Sequence, residues 1–126
     1  MAERVLVVDD EEDFLESIVR RLELRGIEVH GVANGAAALE LLTHEQVDVV
    51  VLDIKMPGMD GIEALRQIRR LYPDVEVIVL TGHASQEFQR LGRELGAFDY
   101  LIKPVRLETV LERIRAACRR RRGDCT

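Results

Sequence analysis

Three short runs, VLVV at 5–8, VVVL at 49–52 and VIVL at 77–80, are apolar at every position and rich in valine. A strand with one wet face alternates apolar and polar residues. A strand with no polar face must be covered on both sides, which is the condition of strands inside a parallel sheet layered by helices. Two further β-branched or aromatic runs, Ile27–Val32 and Phe98–Ile102, complete a set of five, with Val47–Leu52 and Val75–Leu80 as the outer bounds of the third and fourth. Between them the apolar spacing changes to that of helices. Phe14, Leu15, Ile18 and Leu22 share a face, as do Ala36, Ala38, Leu39 and Leu42 after a candidate N-cap, Asn34. Ile62, Leu65 and Ile68 repeat the pattern, then Phe88, Leu91 and Leu95, then Leu107, Val110, Leu111, Ile114 and Cys118. Strict alternation of strand and helix implies right-handed βαβ crossovers and a three-layer, doubly wound α/β sandwich.

The 126 residues suit one domain, and 47% hydrophobic with 33% charged residues supports one sizeable core and argues against disorder. The formal net charge of -5 gives nucleic-acid binding no support, and no apolar run is long enough to cross a bilayer. The opening MAERVLVVDD has charges where a secretory signal would have an apolar segment, so a cytoplasmic location is expected. Cys118 and Cys125 lack metal-ligand spacing and read as reduced thiols. The one shift in composition is RRRRGDCT at the C-terminus, read as a basic tail or linker stub over 119–126 after a domain over 1–118. Its arginines suit the negative end of the last helix.

The polar residues fall at the strand ends. The first strand runs into Asp9 and Asp10, the third into Asp53, the fourth into Thr81 and the fifth into Lys103 and Pro104. In an open parallel sheet these ends share one edge, where ligands bind at the reversal of strand order. Each residue alone has a plain alternative: Asp10 or Asp60 as a helix N-cap, Thr81 as a cap for the next helix, Lys103 as an exposed side chain. Together, three clustered carboxylates would repel one another and raise their own pKa values. A divalent cation among them with a lysine nearby removes the conflict, and few, partly solvated oxygen ligands suit Mg²⁺.

At this point VLVVDDEE, VVVLDIKMPGMDG, VIVLTGHAS and GAFDYLIKPV resemble the four signature segments of response-regulator receiver domains, in the family order. The resemblance spans the chain up to the basic tail. It implies the flavodoxin-like strand order 2-1-3-4-5. Asp53 resembles the phospho-accepting aspartate, and Asp9 and Asp10 the acidic pair, with Asp10 the direct Mg²⁺ ligand. The Lys55 carbonyl resembles the backbone metal ligand, Thr81 the switch hydroxyl, Tyr100 the switch aromatic and Lys103 the family's lysine. The Lys103–Pro104 bond resembles one that is usually cis. Lys55 and His83 occupy positions that flank the access of water to the phosphoryl group, although His83 also reads as an exposed side chain without a role.

The implied partners are a sensor histidine kinase or phosphotransfer protein and a downstream protein or output domain. A homodimer through the face of the fourth helix, fifth strand and fifth helix, roughly Ser85 to Arg115, is a further option. Three other classes compete. Haloacid-dehalogenase-like hydrolases need an acid/base Asp where this chain has Lys55. A nucleotide or flavin module needs a glycine- or hydroxyl-rich loop after the first strand, where this chain has DDEED. A receiver that works without phosphorylation would be expected to have lost part of the set, and none is lost. The reading is a signalling switch with self-catalysed, Mg²⁺-dependent phosphotransfer and autodephosphorylation, not an enzyme acting on an external metabolite.

Overall fold

The computed structural model describes residues 3–55, 61–83 and 85–122. Five strands alternate with five helices: β1 Arg4–Val8, α1 Glu12–Glu23, β2 Glu28–Val32, α2 Gly35–Leu42, β3 Val49–Leu52, α3 Gly61–Leu71, β4 Glu76–Thr81, α4 Gln86–Glu94, β5 Asp99–Ile102 and α5 Leu107–Arg122. All pairings are parallel and the order is β2-β1-β3-β4-β5, as the resemblance implied. Ile27, Val47, Val75 and Phe98 prove to be lead-in residues just outside their strands.

The all-apolar runs become the middle of the sheet. Every residue of β3 and β4 is buried, and so are Val5–Val8 of β1. β2, on an edge, has no buried residue, which is why its HGV segment could remain polar and small. Side chains alternate across the strands. Leu6, Val8, Val50, Leu52, Val77 and Val79 point to the layer of α2, α3 and α4, against Ala38, Leu42, Ala64, Leu65 and Ile68. Val5, Val7, Val49, Val51, Ile78 and Leu80 point the other way, to α1 and α5, against Ile18, Leu22, Val110, Leu111 and Ile114. Burying each such side chain contributes about 1.5–3 kcal/mol. This two-sided core pins the strands, and the strands fix the edge where their C-terminal ends emerge.

The helices begin and end for local reasons. Asn34 caps α2, its side chain accepting from the Ala37 N–H at 2.8 Å, as its position predicted. Ser85, not Thr81, is the N-cap of α4. Glu11 stands at the N-cap of α1, so Asp10 does not, and the helix's first turn is acidic and its last basic, matching the macrodipole. The MPGMD stretch at 56–60 that follows Asp53, with its candidate cap Asp60, and Cys125 lie outside the described residues. Cys118 is buried. No described helix is long and apolar enough to cross a membrane.

Candidate functional site

The registers bring the strand-end residues together. Val8 of β1 pairs with Leu52 of β3, so the next residues, Asp9 and Asp53, stand side by side at the reversal of strand order. The Asp53 N–H donates to the Val8 carbonyl at 3.0 Å, continuing the ladder one residue past the strand. On the far side the Lys103 N–H donates to the Thr81 carbonyl at 2.8 Å, which carries the lysine up beside the acids. The Lys103–Pro104 bond is cis.

Asp53 is 5% exposed, and its two oxygens are treated differently. Oδ1 accepts from the Thr81 hydroxyl at 2.7 Å and from the Lys55 N–H at 3.0 Å. Oδ2 lies 3.5 Å from Lys103 Nζ. That ammonium also donates to Asp9 at 2.7 Å and Glu11 at 2.9 Å, and it sits 4.0 Å from the centre of the Phe14 ring. Lys103 is therefore packed into the site rather than exposed. Asp9 Oδ1 accepts from the Glu11 N–H at 2.9 Å, so this buried carboxylate is held from two sides.

Oxygens of Asp9, Asp10 and Asp53 all lie within 4.8 Å of one another, with Asp10 exposed and the other two buried. Three carboxylate oxygens open to solvent on one side fit a hard divalent cation that keeps part of its water shell. With Glu11 included, the site holds four carboxyl groups and one ammonium, which contacts Asp9, Glu11 and Asp53, and this leaves an excess of negative charge for a cation to neutralise. The expected mutual repulsion is present, but it is not the main influence on Asp9. Burial is the largest cause of its raised pKa, opposed by the Lys103 hydrogen bond, the Glu11 N–H and the lysine charge, while the charge of Asp53 adds the smallest push upward. For Lys103, burial is the largest influence and acts downward. The hydrogen bonds to Asp9 and Glu11 and the charges of Asp9 and Asp53 together outweigh it, so its pKa is raised.

A second chain of contacts leads away from Asp53. Thr81 Oγ1, which donates to Asp53, accepts from the His83 N–H at 3.3 Å. The His83 carbonyl accepts from the Tyr100 hydroxyl at 2.9 Å. Tyr100 is 7% exposed, so its ring is buried and its hydroxyl is satisfied by protein rather than by water. Burial, and then the charge of Asp53, raise its pKa. His83 is half-buried, its ring edge-on to Phe88 at 4.5 Å between centroids. The alternative of a solvent-exposed histidine does not describe it.

The helix that follows the site approaches it closely. A Cβ on Gly61, the first residue of α3, would lie 2.0 Å from the Ile54 Cα and 2.4 Å from the Asp53 carbonyl oxygen. Only a glycine lets α3 start so near Asp53, and its N–H donates to the Ile54 carbonyl at 3.0 Å.

Sequence reasoning named Asp9, Asp10, Asp53, Lys55, Thr81, Tyr100 and Lys103, and the structure gathers the side chains of all but Lys55 and Tyr100 at one edge. Lys55 contributes its N–H, and Tyr100 connects through His83. Two contributors escaped notice. Glu11 is the second partner of Lys103, and the peptide groups of His83 link threonine to tyrosine. Glu11 carries no periodic signal because it faces solvent, and a backbone role leaves no trace in residue identity.

Comparison with known proteins agrees with this geometry. A family model described as the response regulator receiver domain matches residues 5–115. The transcriptional regulatory protein PrrA of Mycobacterium tuberculosis is 43% identical over 123 residues, 98% of this chain and 53% of that protein. The chain thus spans about half the length of the curated relatives it matches. A CheY-like response regulator receiver domain protein from Methanospirillum hungatei superposes with a TM-score of 0.93 at 32% identity, covering 99% of this chain and 100% of that one. A response regulator protein from Burkholderia pseudomallei, solved with a phosphorylated aspartic acid, a calcium ion and citrate, gives a TM-score of 0.85 at 30% identity, covering 97% of this chain and 72% of that one. The chain belongs to the response regulator receiver domain family of two-component systems, phospho-accepting signalling switches rather than conventional enzymes.

Proposed function

We propose that Asp53 is the residue that takes the phosphoryl group, from a phosphohistidine of a sensor histidine kinase or phosphotransfer protein. The observation that carries this is the setting of its carboxylate. It is buried at a strand end, with a hydroxyl and an N–H on one oxygen, an ammonium near the other and two further acids alongside. A carboxylate oxygen attacks phosphorus, the P–N bond breaks, and its electron pair returns to the imidazole. Phosphoryl transfer asks mainly for positioning and charge neutralisation.

Asp10, Asp53 and the Lys55 carbonyl would hold Mg²⁺ directly, with Asp9 alongside. When bound, the ion supplies Lewis-acid polarisation of the phosphoryl oxygens. Lys103 neutralises charge on the incoming group, and the Thr81 hydroxyl and Lys55 N–H are placed to donate to it. Lys55 and His83 flank the approach of water and influence the lifetime of the acyl phosphate.

Output follows from Thr81 and Tyr100. A donor drawn to the phosphoryl group changes the Thr81–His83–Tyr100 chain, and with it the face of α4, β5 and α5. That face would serve a downstream protein, an output domain or a second copy of the chain. The receiver unit is 1–118. Residues 119–126 are a basic tail or linker stub whose first four residues continue α5. This reading puts the protein in the cytoplasm and gives this chain no direct contact with nucleic acid or membrane.

The test is phosphorylation with Mg²⁺ and acetyl phosphate or phosphoramidate, read by intact mass. The protein gains one base-labile phosphoryl group, and Asp53→Asn abolishes it. An unchanged gain in that variant overturns the assignment of Asp53.

A further inference from the structure

We propose that Gly92 is the seat of the Tyr100 ring, and that its missing side chain allows the ring to stay inward. This rests on the reading of Tyr100 as the switch aromatic and names the residue that sets its position.

Gly92 lies inside α4 and is the one residue of that helix that is buried. A glycine within a helix costs stability relative to alanine, so its presence asks for a reason. Its backbone supplies none, since the glycines at positive φ are Gly26 and Gly96. Packing supplies one. A Cβ on Gly92 would stand 3.2 Å from Tyr100 Cδ2 and 3.5 Å from Cε2, two atoms of one ring edge. The ring must then give by a few tenths of an ångström.

It has little room to do so. Its far end is tied by the hydroxyl to the His83 carbonyl at 2.9 Å, and the side chain is 7% exposed. Moving the ring off α4 strains or lengthens that bond. The same peptide segment donates from the His83 N–H to Thr81, so the disturbance travels toward Asp53 through a hydrogen-bonded path. Gly92 touches neither Asp53 nor Thr81 and acts through Tyr100 as a positioning residue.

The protein has no tryptophan and two tyrosines, so Tyr72→Phe leaves Tyr100 as the one tyrosine emitter. In that background Gly92→Ala and Gly92→Val are compared with the parent by acrylamide quenching, with and without Mg²⁺ and beryllofluoride. Without the mimic, quenching of Tyr100 rises modestly for Gly92→Ala and at least twofold for Gly92→Val. Equal quenching in the parent and in every folded Gly92 variant overturns the seat. Should Gly92→Val not fold, thermal melts of Gly92→Ala decide. The change in melting temperature must be more favourable in a Tyr100→Ala background, where the added methyl meets no ring and helix propensity acts alone. Equal changes in both backgrounds overturn the proposal. The response of the parent to beryllofluoride tests the switch role of Tyr100 separately. A parent that does not respond while the Gly92 variants still expose Tyr100 refutes the switch and keeps the seat.

Discussion

Lys103→Met removes the ammonium while keeping an unbranched side chain over Phe14. The ammonium serves two carboxylates that have almost no water. The side chains of Asp9 and Asp53 are 2% and 6% exposed, against 14% for the lysine. Taking one partner out of a buried ion pair costs about 3–5 kcal/mol, because a charge is left uncompensated. The arm to Glu11 adds little, since that carboxylate is 65% exposed and water can replace the lysine. Asp9 also has an escape, as its pKa is already raised and protonation removes the stranded charge. The expected loss at pH 7 is therefore about 2–4 kcal/mol. The pH dependence follows from the directions of the shifts. In the variant, the folded pKa of Asp9 stands further above 3.8, so the folded state holds the proton longer than the unfolded one. The penalty is full above that folded pKa and fades as pH falls through it. In the parent, the folded pKa of Lys103 is above 10.5, so its contribution is complete below 10.5 and disappears as pH rises through the folded value. Urea unfolding with EDTA at pH 7, near pH 4.5 and above pH 10.5 measures both windows. A gap between parent and variant that is the same at pH 7 and pH 4.5, or below about 0.5 kcal/mol at pH 7, refutes the claim that Lys103 compensates buried charge.

Asp10→Ala removes an exposed carboxylate that has no hydrogen bond or ion pair among the described residues. Mg²⁺ affinity should fall by at least about tenfold by titration, the lower end of what even outer-shell metal contacts contribute, while urea unfolding of the metal-free protein shows unchanged or higher stability. Unchanged affinity would mean that Asp10 is not a ligand. Gly61→Ala drives a methyl into the backbone of Ile54 and Asp53. It should cost about 3 kcal/mol or more, the upper end for overpacking, and slow acetyl-phosphate labelling as well, since Asp53 cannot hold its place.

The parts of the molecule legible in the sequence are those fixed by repetition. VLVV, VVVL and VIVL announced buried parallel strands, and helical spacing placed Leu65 and Ile68 or Val110 and Ile114 against them. The topology then turned residues 44 positions apart, Asp9 and Asp53, into neighbours, which spacing alone could not show. Strand ends were less legible than strand middles. Ile27, Val47, Val75 and Phe98 have strand-like side chains but lie just before their strands, where Ile27, Val47 and Val75 are buried and Phe98 is partly so. Least legible were roles carried by the backbone or by an absent side chain. The Lys55 and His83 peptides, and the space at Gly61 and Gly92, depend on where chain segments meet, and a residue letter records none of that.

The two halves of the site differ in how firmly they are held, and on the proposed relay from Asp53 through Thr81 to Tyr100 that difference would give signalling a direction. β1, β3 and β4, which carry Asp9, Asp53 and Thr81, are buried almost end to end. α3, following β3, buries Gly61, Ala64, Leu65 and Ile68. α4 buries one residue, and that one is a glycine with no side chain to anchor it. Elements with few buried apolar contacts open at the lowest cost in free energy. A change at Asp53 that propagates through Thr81 and His83 therefore meets rigid strands behind it and a loosely held helix in front. Tyr100 sits at the border, bonded to the loop that leads into α4 and packed against Gly92. On the proposed reading of Thr81 and Tyr100 as the switch, the strands would yield only at higher cost, so the rearrangement expected on phosphorylation falls on α4 and Tyr100, where a coupling of about 1–3 kcal/mol is enough to shift the population of surface states several-fold.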